Sequence, residues 1–174
     1  MKRSMIWWIM LMLFLLEGSL LPWVIPGGLQ SQIAPHLVLI AVIFCGFFVG
    51  RHYAMAAGLL FGFMHDILYY GYMLGIYAFA AGLTGYGAGL FPNRHHWNVM
   101  HVLAATAGGL IFFDAVVYLL YTFFVINEES WTWLLLHRFL PSLAFNLLMA
   151  LLLYVPIRTL LERVGSTSKQ EDNG

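Results

Sequence analysis

Long apolar segments separated by short polar breaks fill most of the chain. The first covers residues 5–24 and ends in a stretch of prolines and glycines around Pro26. Five more follow, and we predict them as helices over 35–50, 54–70, 76–90, 98–125 and 135–161. A helix needs about 20 apolar residues to cross the hydrocarbon of a bilayer. The pattern therefore predicts about six membrane-spanning helices, the second and third slightly short.

The composition places this chain among integral membrane proteins. Of its 174 residues, 61% are hydrophobic and 9% are charged, whereas soluble domains carry about 25% charged residues. We therefore expect an all-α membrane protein with one polytopic domain over residues 1–164. We read the apolar N-terminal segment as a retained helix, because no convincing cleavage site follows it. Residues 165–174 are polar and are predicted to form a disordered cytoplasmic tail.

The distribution of cations predicts the orientation. With six spans and a cytoplasmic N-terminus, seven of the eight lysines and arginines fall on the cytoplasmic side, and Arg138 falls outside. Cytoplasmic loops of membrane proteins are enriched in these residues. If the second and third segments formed one re-entrant unit, which is the five-span alternative, Arg94 and the tail would move outside and the bias would collapse. We therefore expect a multi-pass protein with both termini in the cytoplasm.

The few ionisable residues inside the apolar segments are the candidate site. Ionisable side chains within a bilayer are costly and usually functional. This topology places all of them in the outer half of the membrane, where they would form a polar cluster open to the outer face. They are Glu17, His65, Asp66, Asp114, His137 and Arg138.

Each member of this cluster also has a structural interpretation. Glu17 would reach toward lipid headgroups, and Asp66 would cap or pair near the turn at Gly71. Asp114 would pair with Arg138, which would otherwise bind lipid phosphate. A further polar residue, Asn146, is expected to form an interhelical hydrogen bond.

Glycines recur four residues apart at three places in the chain. Small residues at this spacing let helix backbones approach closely in membranes. They predict either tight packing within the chain or a docking face for a partner's transmembrane helix. The pairs are Gly46 with Gly50, Gly58 with Gly62, and Gly85 with Gly89.

The sequence does not indicate an enzyme. It has no nucleophile elbow, P-loop or zinc-protease motif. An intramembrane protease using Asp66 and Asp114 is the strongest enzymatic alternative, but no motif surrounds either acid. We expect no cofactor, no metal and no nucleic-acid partner. Cys45 lies in an apolar run and reads as a small buried residue.

The segment 35–90 resembles the MreD family of bacterial rod shape-determining proteins. The resemblance lies in a proline-led helix, a hairpin with a glycine pair followed by aspartate, a glycine turn, and a helix that ends in a second glycine pair. His65 departs from the Gln or Leu that many members carry there. The matching residues are Pro35, Gly58, Gly62, Asp66, Ile67, Leu68, Leu74, Gly75, Gly85, Tyr86 and Gly89.

The resemblance implies a non-enzymatic scaffold subunit of the cell-elongation machinery in the bacterial cytoplasmic membrane. Such a subunit binds MreC and helps to link MreB filaments to an elongation glycosyltransferase and a class B penicillin-binding protein. It makes the glycine surface, with Gly75 and Tyr86, a recognition face. The family is also similar in fold to the substrate-binding subunits of energy-coupling-factor transporters, so a small-molecule (vitamin-type) binding subunit is the alternative function.

Overall fold

The fold is a bundle of α-helices in a computed structural model. The structure describes residues 4–19, 23, 33–69, 73–91, 99–124 and 139–171, and within these ranges it describes side chains between residues 6 and 157. The described residues form six helices: α1 (Ser4–Ser19), α2 (Leu37–Phe48), α3 (Arg51–Leu68), α4 (Ile76–Ala88), α5 (Val99–Phe123) and α6 (Leu140–Glu171). The predicted all-α architecture is confirmed.

Fewer helices than predicted have the length and composition of a membrane span. Among the described residues, two do, over Val99–Phe123 and Leu140–Ile157. The stretch Ile6–Ser19 and α2 are apolar but shorter. Helices α2 and α4 are short because a glycine with positive φ lies at one end of each. Gly50 separates α2 from α3, and Gly75 directly precedes α4. The count of six spans predicted from the sequence is therefore higher than the helix lengths alone support.

Helix α2 is the centre of the bundle. It packs against each of the other five helices, and every residue from Leu37 to Phe47 is buried. A helix that is apolar on all sides requires such an environment. At about 1.5 Å per residue, its 12 residues are too few to cross the roughly 30 Å hydrocarbon core. Both of its ends therefore need hydrogen-bond partners from elsewhere in the protein.

The outer surface of the bundle is strongly apolar. Large hydrophobic side chains are exposed on every helix whose side chains are described except the buried α2, among them Met12, Phe63, Phe79, Met100 and Val155. Soluble monomers rarely expose contiguous apolar patches beyond a few hundred Å². A lipid environment accounts for such a surface, in agreement with the composition.

Two boundaries differ from the sequence prediction. The polar triplet Arg51–Tyr53 was predicted as a break, but it forms the first turn of α3. The chain turns at Gly50 instead, whose φ of 152° is unfavourable for residues with a side chain.

At the other end of the chain, α6 continues to Glu171, beyond residue 161, where we predicted the last helix to end. Lysine, glutamine and glutamate have high helix propensity, and extending an existing helix costs far less than starting one.

Candidate functional site

Asp66 lies in the last turn of α3 and is only 2% exposed. Its carboxylate accepts hydrogen bonds from the backbone N–H groups of Gly75, Tyr77 and Ala78, at N···O distances of 2.9, 3.3 and 3.2 Å. The first N–H groups of a helix have no partner within that helix, and the helix dipole favours negative charge there. Asp66 therefore caps α4, whose own N-cap residue Gly75 makes no side-chain cap.

Glu17 caps the start of the central helix, α2. It is 6% exposed, and its Oε2 accepts a hydrogen bond from the backbone N–H of Val38 at 3.0 Å. The N-cap residue of α2, His36, makes no side-chain cap of its own. The Glu17 carboxylate, near the end of α1, thus supplies a hydrogen-bond acceptor to a backbone N–H group in the first turn of α2.

Two polar side chains of α6 complete the start of α2. Asn146 accepts a hydrogen bond from His36 N at 2.8 Å and donates one to Ala34 O at 3.0 Å. The hydroxyl of Ser142 accepts one from Ala34 N at 2.9 Å. Asn146 was expected to form an interhelical hydrogen bond, but its partners lie in the segment that leads into α2 and not within another helix.

His65 is held in an aromatic stack. Its ring lies 4.3 Å from that of Tyr69 and 4.2 Å from that of Tyr77, the latter nearly parallel at 7°. Tyr77 continues the stack to Phe113, with ring centroids 5.2 Å apart in a T-shaped arrangement. The packing links α3, α4 and α5 beside the two capped helix ends, which gives His65 a structural role.

A small cavity lies where these groups meet. It has a volume of about 30 Å³, whereas small-molecule pockets measure roughly 300–1,000 Å³. The residues around it come from the first five helices and from the segment that precedes α2. They are Phe14, Glu17, His36, Val38, Leu39, Val42, Gly58, Phe61, Gly62, His65, Tyr77, Ala81 and Phe113.

The structure brings together only part of the predicted polar cluster. Glu17 and His65 line the same cavity. Asp66 follows His65 in sequence, but its carboxylate is directed at the start of α4. Asp114 is partly buried on α5 and does not line the cavity. His137 and Arg138 lie outside the described residues, so the predicted pairing of Arg138 with Asp114 stays a prediction.

The glycine pair of α3 and Gly85 of α4 each pack against the backbone of the other helix. A Cβ on Gly58 would lie 2.4 Å from the carbonyl oxygen of Ala81, and one on Gly62 would lie 2.6 Å from Ala78 Cα. From the other side, a Cβ on Gly85 would lie 2.7 Å from the carbonyl oxygen of Ala54. Backbones this close leave no room for a side chain, so these glycines serve packing between α3 and α4.

The remaining residues of the predicted recognition face also have partners within the chain. A Cβ on Gly89 would lie 2.4 Å from Arg51 Cα. The ring of Tyr86 lies 5.8 Å from the guanidinium carbon of Arg51 and 6.1 Å from the ring of His52. Gly75 has a φ of 102° and is the N-cap residue of α4, where its backbone N–H donates to Asp66.

Sequence reasoning missed three residues of this region: His36, Tyr77 and Ser142. His36 directly precedes a long apolar run, and that position is the one signal that would have suggested a helix N-cap. Tyr77 and Ser142 carry no local signal, because their partners are set by helix packing. Among the described residues, no group of three or more potential metal ligands occurs.

The capped hairpin and glycine contacts occur in the segment on which the family resemblance rests. A family model described as rod shape-determining protein MreD matches residues 1–164. The chain belongs to the MreD family. It is 27% identical over 161 residues to the protein named "Rod shape-determining protein MreD" of Bacillus subtilis (strain 168), a match that covers 91% of this chain and 92% of that relative. No solved structure matches the chain.

Membership in the MreD family gives the chain a role in rod shape determination. The family is a structural, shape-determining one. Together with the apolar helices, membership also indicates a membrane protein.

Proposed function

We propose that this MreD-family chain is a non-enzymatic scaffold subunit of the cell-elongation machinery that acts by binding MreC. The observation that carries the proposal is the family match over residues 1–164. Through MreC, the subunit would help to couple MreB filaments to the elongation glycosyltransferase and a class B penicillin-binding protein.

The geometry of the buried acids supports a scaffold. The carboxylates of Asp66 and Glu17 accept backbone hydrogen bonds at two helix starts. General acid–base catalysis instead needs a group within reach of a substrate proton. The glycines Gly58 and Gly62 of α3 and Gly85 of α4 are likewise occupied by contacts within the chain. The surface left for a partner is therefore the exposed apolar one.

The exposed part of α5 is a suitable place for a partner's transmembrane helix. Ala104 and Gly108 are exposed there, and a Cβ on Gly108 would meet no atom within 4 Å. Close helix packing in membranes favours small residues at this spacing. We place the MreC contact on this part of α5 as the first position to test.

The proposed topology retains the orientation derived from the charges. All six helices would lie within the membrane, the shorter ones enclosed by the longer ones, with both termini in the cytoplasm. The architecture would be similar to the substrate-binding subunits of energy-coupling-factor transporters. The alternative function of such a subunit, small-molecule binding, is not favoured, because the cavity of about 30 Å³ is too small for a vitamin.

Co-purification with MreC tests the proposal. The chain, carrying an affinity tag, is expressed with MreC of the same bacterium in rod-shaped cells depleted of their own MreD. We expect MreC to be retained and rod shape to be restored, whereas an unrelated single-span membrane protein is not retained. Absence of both MreC retention and shape rescue by a well-expressed chain would contradict the scaffold function.

A second experiment locates the contact. The variant Gly108→Leu is expected to lose MreC while keeping normal expression, because the added side chain meets nothing in the chain but separates a docked helix. The matched variant Gly87→Leu, at another glycine with open space around it on α4, should retain MreC. Unchanged retention by Gly108→Leu would exclude this part of α5 as the contact.

A further inference from the structure

His65 has a hydrogen-bonding capacity that the described part of the protein does not use. Its ring is stacked between those of Tyr69 and Tyr77, but neither ring nitrogen forms a hydrogen bond or ion pair with another described residue. Every fully buried side-chain nitrogen or oxygen in the described part of the chain has a partner. The ring nitrogens of His65 are therefore not fully buried, in agreement with its position in the lining of the cavity.

Glu17 lines the same cavity, and its carboxylate also has acceptor positions to spare. A carboxylate offers about four such positions, and the backbone N–H groups of Leu37 and Val38 use part of them. Glu17 and His65 are not joined to each other by a direct hydrogen bond or ion pair. Polar groups that face each other beyond direct hydrogen-bond distance are commonly bridged by water, which binds nearly as well as a direct partner.

The cavity meets the requirements for a bound water. A water needs a space of at least about 10–15 Å³ and two to four polar partners, whereas cavities that stay dry are lined by apolar groups. The cavity has a volume of about 30 Å³, which is above that minimum. Glu17 supplies an acceptor, and a neutral imidazole at His65 supplies one donor and one acceptor. Ionisable residues of membrane helices almost always face the bundle interior or a water-filled cavity.

We propose that this cavity is a hydration site in which ordered water bridges the carboxylate of Glu17 and the ring of His65. The water donates one hydrogen bond to the carboxylate and forms another with a ring nitrogen of His65. Glu17 lies near the end of α1 and His65 in the last turn of α3, so the bridge links these two helices. It also holds the carboxylate where it accepts from the start of α2. The site does not depend on MreC binding.

Water-edited solid-state NMR tests the hydration site in the unmodified full chain. The protein, with labelled valine and isoleucine methyl groups, is placed in bilayers of deuterated lipid. Val42 lines the cavity, whereas Ile40 and Ile43 of the same helix do not, and all three are at most 1% exposed. We expect magnetisation from water to reach Val42 at least about threefold faster than either isoleucine, as a bound water beside it requires. Equally slow transfer to all three residues would show a dry cavity and would overturn the proposal.

Variants at both ends assign the water to Glu17 and His65. His65→Phe keeps an aromatic ring in the stack but removes both nitrogens, so the transfer from water to Val42 should fall at least about twofold. In Glu17→Gln, the ¹⁵N signals of the His65 ring should shift, because the bridging water loses its charged acceptor. Asp114→Asn, which changes an acid that does not line the cavity, should leave these signals in place. Unchanged transfer in His65→Phe, or equal His65 signals in Glu17→Gln and Asp114→Asn, would refute the bridge.

Discussion

The first backbone N–H groups of α2 and of α4 are both capped by side chains from other helices, but the capping residues lie at different sequence separations. Neither helix has a side-chain cap of its own, and each receives a buried acid from another helix. Asp66 caps α4 from 9 to 12 residues away. The groups at the start of α2 come from farther along the chain, with Glu17 21 residues from Val38 and Asn146 110 residues from His36.

The difference shows which part of the bundle is held by contacts within one continuous segment and which part depends on contacts between helices distant in sequence. The hairpin of α3 and α4 contains both its glycine packing and its cap within one continuous segment. The start of α2 is complete only when α1 and α6 are both in place. We therefore expect the hairpin to be the more self-sufficient unit, and α2 to depend on assembly of the whole bundle.

The largest effect should come from filling the glycine contact of the hairpin. In Gly62→Leu, the new side chain would overlap the backbone at Ala78, because even a Cβ would lie 2.6 Å from its Cα. We expect a loss of about 3 kcal/mol or more in the free energy of unfolding, measured by denaturant titration in mixed micelles. Gly108→Leu is the control, since nothing lies within 4 Å there. Equal losses in both variants would show that the hairpin contact is not special.

Removing the local cap should have the next largest effect. Asp66→Ala leaves three backbone N–H groups at the start of α4 without their acceptor. We expect the free energy of unfolding to fall by about 2–3 kcal/mol, in the same titration. Glu171→Ala, at the end of α6, should change it by less than about 0.5 kcal/mol. Similar stability of the two variants would remove Asp66 from its capping role.

Removing Asn146, which caps the start of α2 from a distant helix, should lower the free energy of unfolding somewhat less. Asn146→Ala loses one accepted and one donated hydrogen bond, at 2.8 and 3.0 Å, and we expect a loss of about 2 kcal/mol. Leu148→Ala on the same helix is the control, because Leu148 is 54% exposed and its side chain has little protein packing to lose. A smaller loss for Asn146→Ala than for Leu148→Ala would contradict the role given to Asn146.

The smallest expected effect is a coupling energy between two substitutions. It tests whether the starts of α2 and α4 are stabilised independently of each other. Glu17→Gln and Asn146→Ala both loosen the start of α2, so a double-mutant cycle should give a coupling of about 0.5–1 kcal/mol. Asp66→Ala and Asn146→Ala act on different helices and should be additive within about 0.5 kcal/mol. Additivity of the first pair would mean that Glu17 and Asn146 do not stabilise a common structure.

Features that depend on residues close in sequence could be predicted, whereas contacts between distant helices could not. The all-α class and the approximate positions of the helices follow from hydrophobic runs and from breaks at glycine and proline. A cap at Asp66 was one of two interpretations of that residue, because its partner turn lies close by in sequence. The pairing of Asn146 with the His36 backbone could not be predicted, since nothing local to either residue selects the other.

Among the described residues, the predicted polar cluster comes together only in part, for a related reason. Membrane depth placed Glu17, His65 and Asp66 at one level, but depth does not give the direction of a side chain. Asp66 is turned toward α4, while Glu17 and His65 face the cavity. The glycine pairs fitted both internal packing and a partner face, and only the register of α3 against α4 distinguishes these uses.

Our central proposal is that Asp66 stabilises this chain and does not contact the proposed partner, MreC. The most direct test measures both properties of Asp66→Ala in one preparation: the free energy of unfolding, and the Kd of the folded protein for MreC in nanodiscs. We predict a stability loss of about 2–3 kcal/mol with a Kd within about twofold of the wild-type value. Unchanged stability with a Kd raised about tenfold or more would contradict the claim and place Asp66 in the binding surface.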